Sequence, residues 1–170
     1  AALGYFGHMW ELYAFWVFVP LFLPMYRGWS EFSPDISLLS FVIIASGMLG
    51  CVAGGYLSLK RGSKWVAAGM MWISGSCCLL SPWALSWPPV LFVLFMLVWG
   101  FAVVGDSPQF STLMARHANP AYKGSVLTIA TATGFALTVV SIAWLGWLSA
   151  TEVSPFLFYI LFPGPFIGLL

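Results

Sequence analysis

Charged side chains are scarce in this 170-residue sequence. Lys, Arg, Asp and Glu together make up 6% of the residues and hydrophobic residues make up 61%, whereas a soluble domain usually carries about 25% charged residues. A soluble domain of this size cannot remove so much apolar surface from water. The composition therefore excludes soluble globular and disordered proteins and predicts that most of the chain lies in lipid. The formal net charge of +1 gives no indication of a nucleic-acid partner.

Cysteines and enzyme motifs are also few. Cys51, Cys77 and Cys78 lie in apolar runs without C-x-x-C spacing, so neither a disulfide framework nor a zinc site is indicated and we expect packing residues. The H-E-x-x-H and G-x-S-x-G motifs are absent. A Gly-Asp-Ser tripeptide at 105–107 matches the start of an esterase motif. That motif needs a strand-to-helix turn, and here the tripeptide ends an apolar helix.

Apolar runs of membrane-spanning length make up most of the chain. A hydrocarbon core of about 30 Å needs about 20 apolar residues per helix. Six spans are predicted, at residues 4–26, 36–59, 65–83, 89–113, 125–148 and 156–170. The sixth is short and contains Pro163-Gly164-Pro165, so we expect it to be cut off by the end of the chain. The chain begins at Ala1 without the basic segment of a signal peptide, so we expect its gene to begin further upstream.

The loops alternate in charge. Arg27 in the first loop is offset by Glu31 and Asp35, and the third and fifth loops contain no Lys or Arg. The second and fourth loops hold the other basic residues: Lys60, Arg61, Lys64, Arg116 and Lys123. The positive-inside rule places these two loops and both termini in the cytoplasm. Four tryptophans lie at the opposite boundary, as an aromatic belt would: Trp29, Trp83, Trp87 and Trp147.

Small residues form one face on each of two spans. Such faces usually pack against other helices in lipid. The face of the second span contains Gly47, Gly50, Gly54 and Ser58. The face of the fifth span contains Ser125, Thr128, Thr131, Gly134, Thr138 and Ser141. We predict helix packing for both, and a hydrated path lined by hydroxyl groups such as that of Thr131 is the functional alternative.

Three ionisable residues lie inside the predicted spans. His8 and Glu11 are three residues apart on one face of the first span, and Asp106 lies in the fourth. Both carboxyl groups are seven residues from the cytoplasmic end of their span, which places them about 10 Å deep at a rise of ~1.5 Å per residue. Two carboxyl groups at one depth on different helices are expected to face one cavity.

Intramembrane ionisable groups are costly and are therefore candidates for function. A desolvated carboxyl group without a cation binds a proton readily, so we predict proton coupling by Glu11 first and by Asp106 second. The alternatives are a buried, hydrogen-bonded carboxyl group for Glu11 and the cap of a helix break for Asp106. His8 is expected to be a hydrogen-bond partner, and Phe15, one turn beyond Glu11, a substrate contact. One His-x-x-Glu pair supplies too few metal ligands, so no metal or cofactor is predicted.

The loop Gly55-Tyr-Leu-Ser-Leu-Lys-Arg-Gly-Ser-Lys64 resembles the G-x-x-x-D-R-x-G-R-R signature of the major facilitator superfamily. Gly55, Lys60, Gly62 and Lys64 match in register, Arg61 adds a further basic residue, and Leu59 replaces the Asp of the family. The stretches 7–14 and Asp106-Ser-Pro-Gln-Phe-Ser111, which contains Gln109, resemble a bacterial branch of this superfamily.

The resemblance implies an all-α membrane domain that forms the C-terminal six-helix half of a transporter in the bacterial inner membrane. It implies that the first and fourth helices line a central cavity, and that the second and fifth meet an N-terminal half of the same protein. The partners implied are the bilayer, that other half, a small solute and protons. The candidate cavity residues are Glu11, Asp106, His8, Phe15, Gln109 and Thr131. A free-standing six-span channel or homodimeric carrier is the main alternative, and an integral-membrane enzyme is a weaker one.

Overall fold

The structure is a computed structural model that describes residues 1–28, 34–151 and 154–169. The secondary structure of these residues is helical and contains no strand. The helices are α1 (Ala2–Phe22), α2 (Ile36–Arg61), α3 (Ser63–Ala84), α4 (Pro89–Gly105), α5 (Ser107–His117), α6 (Lys123–Thr151) and α7 (Pro163–Leu169). Three 3₁₀ turns accompany them, at Leu23–Met25, Pro120–Tyr122 and Leu157–Leu161.

Five helical segments in the described part of the chain are long and apolar enough to cross a membrane. They are Ala2–Met25, Ile36–Arg61, Ser63–Ala84, Pro89–His117 and Pro120–Ala150. These segments coincide with the first five predicted spans to within a few residues at most ends, and their length and composition suit a membrane crossing. An all-helical membrane protein is the class that this architecture supports.

The sixth predicted span, 156–170, does not reach that length. Its described residues form a shorter apolar segment, Leu157–Leu169, composed of a 3₁₀ turn and the short helix α7. Pro163 begins α7, because proline lacks an N–H group and its ring clashes with the preceding turn of a continuing helix. Leu170, the last residue of the predicted span, lies outside the described residues.

The fourth predicted span is divided at Asp106. Helix α4 ends at Gly105 and α5 begins at Ser107. Pro108 accounts for the break, since it cannot donate a hydrogen bond to the preceding turn. The Gln109 and Phe110 N–H groups donate to the Asp106 carbonyl group at 2.9 and 3.1 Å, so backbone hydrogen bonding continues across the junction. A helix break at this residue was one of the two expectations for Asp106, but its side chain does not cap α5.

The glycine face of α2 packs against α4. A Cβ atom added at Gly50 would overlap the carbonyl oxygen of Phe101, and one at Gly100 would overlap that of Ile43. Gly47 and Gly54 approach the same helix. Absence of side chains lets two backbones come this close in lipid. The face that the resemblance assigned to another half of the protein is thus occupied within the chain.

The small-residue face of α6 is divided between two environments. Gly134 packs on Tyr5 and Met9 of α1, and the Thr138 hydroxyl group donates to the Met9 carbonyl oxygen at 2.9 Å. Ser141 is buried one turn further on. The earlier part of the face, made up of Ser125, Thr128 and Thr131, is exposed on the outside of the molecule.

Successive long helices alternate in direction. Tyr5 and Phe18 of α1 approach Gly134 and Gly146 of α6 in the same order, so these helices run parallel. The turn that joins α3 to α4 lies beside the end of α1, where the Tyr26 hydroxyl group donates to the Trp87 carbonyl oxygen at 2.8 Å. Trp83 and Trp147 are exposed near this end of the molecule and Trp87 is half-buried. Trp29 and Glu31 lie outside the described residues.

Gly62 makes the turn at the other end. It is the single residue between α2 and α3 and has φ +83° and ψ 146°, a conformation that side-chain-bearing residues rarely adopt. The aromatic core lies between the two ends. Phe15 of α1 contacts Trp99 of α4 with ring centroids 4.8 Å apart, and Phe158 packs on Trp99 at 5.0 Å.

Candidate functional site

His8 and Glu11 occupy the inner face of α1. Their side chains are among the least exposed in the described chain, at 1% for His8 and 2% for Glu11. The spacing of three residues puts both on one face of the helix, and the apolar residues around them fix that face toward α3 and α4. Two ionisable groups are thus held away from both lipid and water.

Three neutral donors bind the Glu11 carboxyl group. Oε2 accepts a hydrogen bond from the Ser74 hydroxyl group. Oε1 accepts from the Trp99 indole Nε1 at 2.9 Å and from the Cys78 thiol at 3.3 Å. Ser74 and Cys78 are one turn apart on α3, and Trp99 belongs to α4. Glu11 therefore joins three helices.

His8 pairs with Asp106. The His8 Nδ1 and Asp106 Oδ1 atoms are 2.8 Å apart, with side-chain exposures of 1% and 4%. The ring N–H does not point straight at the oxygen, and the pair fails the angular requirement of a hydrogen bond. At this separation the two side chains form an ion pair when the His8 ring is protonated, because distance governs the energy of an ion pair more than angle does. The His8 ring also packs near the rings of Tyr5 and Phe110, with centroids 6.3 and 6.0 Å away.

The two contacts follow from one antiparallel register. Trp99 and Asp106 are seven residues apart, or two helical turns, and they meet Glu11 and His8 respectively. Residue numbers rise along α1 as they fall along α4. We call the resulting cluster the polar centre and define it by six residues: His8, Glu11, Ser74, Cys78, Trp99 and Asp106.

The electrostatics of the polar centre depend on one base and two acids. His8 interacts with both Asp106 and Glu11. Among the described residues, the single ion pair is the one between His8 and Asp106. The Nε2 atom of His8 is buried and has no hydrogen-bond partner among the described residues. In the charged ring this atom carries a proton, so it is a buried donor available to a polar ligand.

Three other predicted cavity residues lie outside the polar centre. Phe15 has no exposed surface and belongs to the aromatic core. Gln109 is 2% exposed and lies at the contact between α2 and α5, near Gly54. Thr131 is exposed on α6. Their roles in substrate binding stay predictions.

Ser74, Cys78 and Trp99 are the members of the polar centre that sequence reasoning missed. The first two looked like ordinary small residues of an apolar helix, and Trp99 like one aromatic residue among many. The available signal was the spacing of four residues between Ser74 and Cys78, which places two donors on one face. That spacing does not specify which helix the donors meet.

The basic loop residues lie outside the polar centre and are exposed. Lys60, Arg61 and Lys64 surround the Gly62 turn, and Leu59 is 84% exposed. The Lys60 Nζ atom lies 5.0 Å from the centroid of the Tyr56 ring, a cation–π distance. These residues form an exposed basic end of the molecule.

Metal binding has no candidate in the described residues, because no group of three or more His, Cys, Asp or Glu side chains is placed to hold an ion. We compared the chain with models of protein families, with curated proteins and with solved structures. None of the three comparisons returns a match.

Proposed function

We propose that this chain forms one half of a secondary transporter, which moves a small solute by alternating access and couples that movement to protons. The observation that carries the proposal is the buried polar centre between α1, α3 and α4. Ionisable side chains inside a membrane are expensive and mark ion or substrate pathways more often than they mark packing. A buried ion pair that served stability alone could be replaced by apolar side chains with little loss or even a gain of stability.

The His8–Asp106 pair supplies the element that responds to a proton. Proton uptake by Asp106, or proton loss from His8, removes the attraction between the two side chains. Asp106 stands at the junction of α4 and α5, and α5 packs on the start of α1 through Phe110, which contacts Gly4 and lies near the His8 ring. Weakening of the pair therefore loosens the contact between one end of the fourth span and the first span.

Glu11 is held so that either of its charge states keeps its hydrogen bonds. As a carboxylate it accepts from Ser74, Cys78 and Trp99. As a carboxylic acid it donates to the Ser74 hydroxyl group, which is both donor and acceptor, and still accepts from Trp99. Both carboxyl oxygens of Glu11 therefore keep a hydrogen-bond partner in either charge state, as a proton-binding site requires.

Transport is tested with the purified full-length protein in vesicles that contain a pH-sensitive dye. Gradients of sugars, amino acids, organic cations and carboxylates are imposed one class at a time. We expect one class to change the internal pH, and we expect Glu11→Gln to abolish that change. Asp35→Asn is the matched control, because Asp35 is an exposed acid that caps α2.

Two results contradict the proposal. Failure of every solute class to move protons excludes proton-coupled transport of these classes. A steady current in a planar bilayer without any solute gradient indicates a channel, which was the main alternative.

A normal response of Glu11→Gln removes Glu11 from the coupling mechanism and leaves the His8–Asp106 pair to be tested in the same way.

The half-transporter part of the proposal is tested on the gene. We expect about six further membrane spans to be encoded before Ala1, as two-repeat transporters require. A start codon immediately before Ala1 contradicts the two-half arrangement and favours a free-standing carrier or channel. With the further spans present, the isolated 170-residue chain is expected not to accumulate solute, because it has no second half against which to rock.

A further inference from the structure

Two apolar grooves run along α3 on either side of Trp65, which is 73% exposed. The first groove lies between α2 and α3, has a volume of about 430 Å³ and is lined by Leu57, Gly69 and Ile73 among others. The second lies between α3 and α7, has a volume of about 540 Å³ and includes Trp72 and Phe166. Both grooves would face the bilayer in a membrane protein.

Each groove has a cation in its lining. Arg61 belongs to the first groove and Lys64 to the second. Lys60 lies one residue before Arg61, so three positive charges surround the Gly62 turn. The single ion pair among the described residues joins His8 and Asp106, so none of these three cations forms an ion pair there.

We propose that the two grooves and their cations bind an anionic phospholipid. Its phosphate lies between Arg61 and Lys64 and its acyl chains occupy the grooves on either side of Trp65. A soluble anion would satisfy the cations and leave the grooves empty, and a lipid without net charge would fill the grooves and leave the cations unpaired. Basic recesses between membrane helices bind anionic headgroups for this reason, and tryptophan prefers the headgroup depth.

The binding test uses the purified protein in detergent micelles and phosphatidylglycerol with a fluorescent label on one acyl chain. Phosphatidylcholine with the same label is the comparison. We expect the anionic lipid to bind at least about tenfold more tightly, because each Lys or Arg near a headgroup contributes about a fivefold gain in affinity. Equal binding of the two lipids contradicts the proposal.

Charge removal locates the site. The triple variant Lys60→Gln, Arg61→Gln, Lys64→Gln is expected to lose the preference for the anionic lipid. The control variant Arg116→Gln, Lys123→Gln removes two cations from the neighbouring loop, and neither of them lines these grooves. The control is expected to keep the preference for the anionic lipid. If the control loses that preference, general surface charge and not this site attracts the lipid.

Groove filling tests the acyl chains. A Cβ atom at Gly69 meets nothing within 4 Å, so the site has room for the start of a side chain, and Gly69→Leu extends into the first groove, which Gly69 lines. We expect it to weaken phosphatidylglycerol binding several-fold. Gly55→Leu is the matched control, because Gly55 is equally open and helical and does not line either groove.

A competitor separates a lipid site from a simple anion site. Inorganic phosphate at millimolar concentration is expected to leave the labelled lipid bound, because it cannot occupy the grooves. Full displacement by phosphate contradicts lipid binding. The grooves share no residue with the polar centre, so failure of this proposal and failure of the transport proposal are separate results.

Discussion

At the scale of the residue, the main question is how α1 keeps an acid and a base in an apolar interior. Glu11 is stabilised by three neutral donors and His8 by one carboxylate. Interhelical hydrogen bonds inside membranes contribute about 0.6 kcal/mol on average and up to about 1.7 kcal/mol. Removal of one member of a buried ion pair costs about 3–5 kcal/mol. The His8–Asp106 pair is therefore expected to dominate stability, although Glu11 makes more bonds.

Glu11→Leu is expected to lower the free energy of unfolding by about 2 kcal/mol, the sum of three average interhelical bonds. Glu11→Gln is expected to cost about 1 kcal/mol or less, because its amide oxygen accepts from Trp99 and its N–H group donates to Ser74. Denaturant titration in mixed micelles measures both. Equal losses in the two variants would mean that charge, and not hydrogen bonding, holds Glu11 in place.

A double-mutant cycle tests the His8–Asp106 pair. His8→Leu and Asp106→Leu are each expected to cost about 3–5 kcal/mol, because each leaves its partner buried and unpaired. The double variant is expected to be more stable than either single variant, since it leaves no unpaired group. Thermal unfolding in the same detergent measures the coupling. Additive losses would show that the two side chains do not interact.

At the scale of the element, close contact between α2 and α4 depends on glycine. The carbonyl oxygens of Phe101 and Ile43 lie where the Cβ atoms of Gly50 and Gly100 would be. Backbone atoms cannot rotate away as a side chain can, so a larger residue forces the helices apart. Gly55, one residue after Gly54 on the same helix, lies in open space. Glycine is therefore required on the face of α2 that packs against α4 and not along the whole helix.

Gly50→Ala and Gly55→Ala form a matched pair on α2. Gly50→Ala is expected to cost about 1–3 kcal/mol, the usual range for overpacking. Gly55→Ala is expected to be neutral or to stabilise by up to about 1 kcal/mol, because alanine favours the helix. Unfolding of the two variants side by side checks the difference. A loss at position 55 equal to that at position 50 would point to a general effect of glycine on α2.

At the scale of the whole molecule, alternation of the helices places basic and aromatic residues at opposite ends. Lys60, Arg61 and Lys64 surround the turn between α2 and α3, whereas Trp83 and Trp147 lie toward the ends of α3 and α6. The same alternation brings the start of α1 and the end of the fourth span together. His8 and Asp106 lie toward the basic end for that reason, whereas Glu11, Ser74 and Trp99 lie nearer the middle of their spans.

Cysteine labelling tests this arrangement in the native membrane. Lys64→Cys and Ser86→Cys occupy exposed positions at opposite ends. A membrane-impermeant maleimide is expected to reach position 86 from outside intact cells and position 64 in inverted vesicles, in agreement with the positive-inside rule. The unmodified protein gives the background of its own cysteines, of which Cys77 and Cys78 are buried. Labelling of both positions from one side contradicts the alternation, and reversed labelling contradicts only the orientation.

Hydropathy predicted α1, α2, α3, the fourth span and α6, because the length and composition of an apolar run decide whether a helix can span lipid. The break at Asp106 was an open alternative, and Pro108 is its local cause. Depth along the helices predicted Glu11 and Asp106 at one level, whereas in the structure Asp106 meets His8, one turn of α1 before Glu11. A 3₁₀ turn and the short helix α7 lie where the sixth span was predicted. Pro163 is the local cause and is visible in the sequence, but its effect on the whole segment depends on packing.

Length and composition alone predict a helical membrane protein, because apolar runs of about 20 residues with so few charges suit helices that cross lipid. The sequence also determined which residues are expensive to bury: His8, Glu11 and Asp106. The partners of these residues follow from the packing of the helices. Ser74, Cys78 and Trp99 reach Glu11, and His8 reaches Asp106, because helix packing sets register and rotation, which periodicity along one chain does not specify.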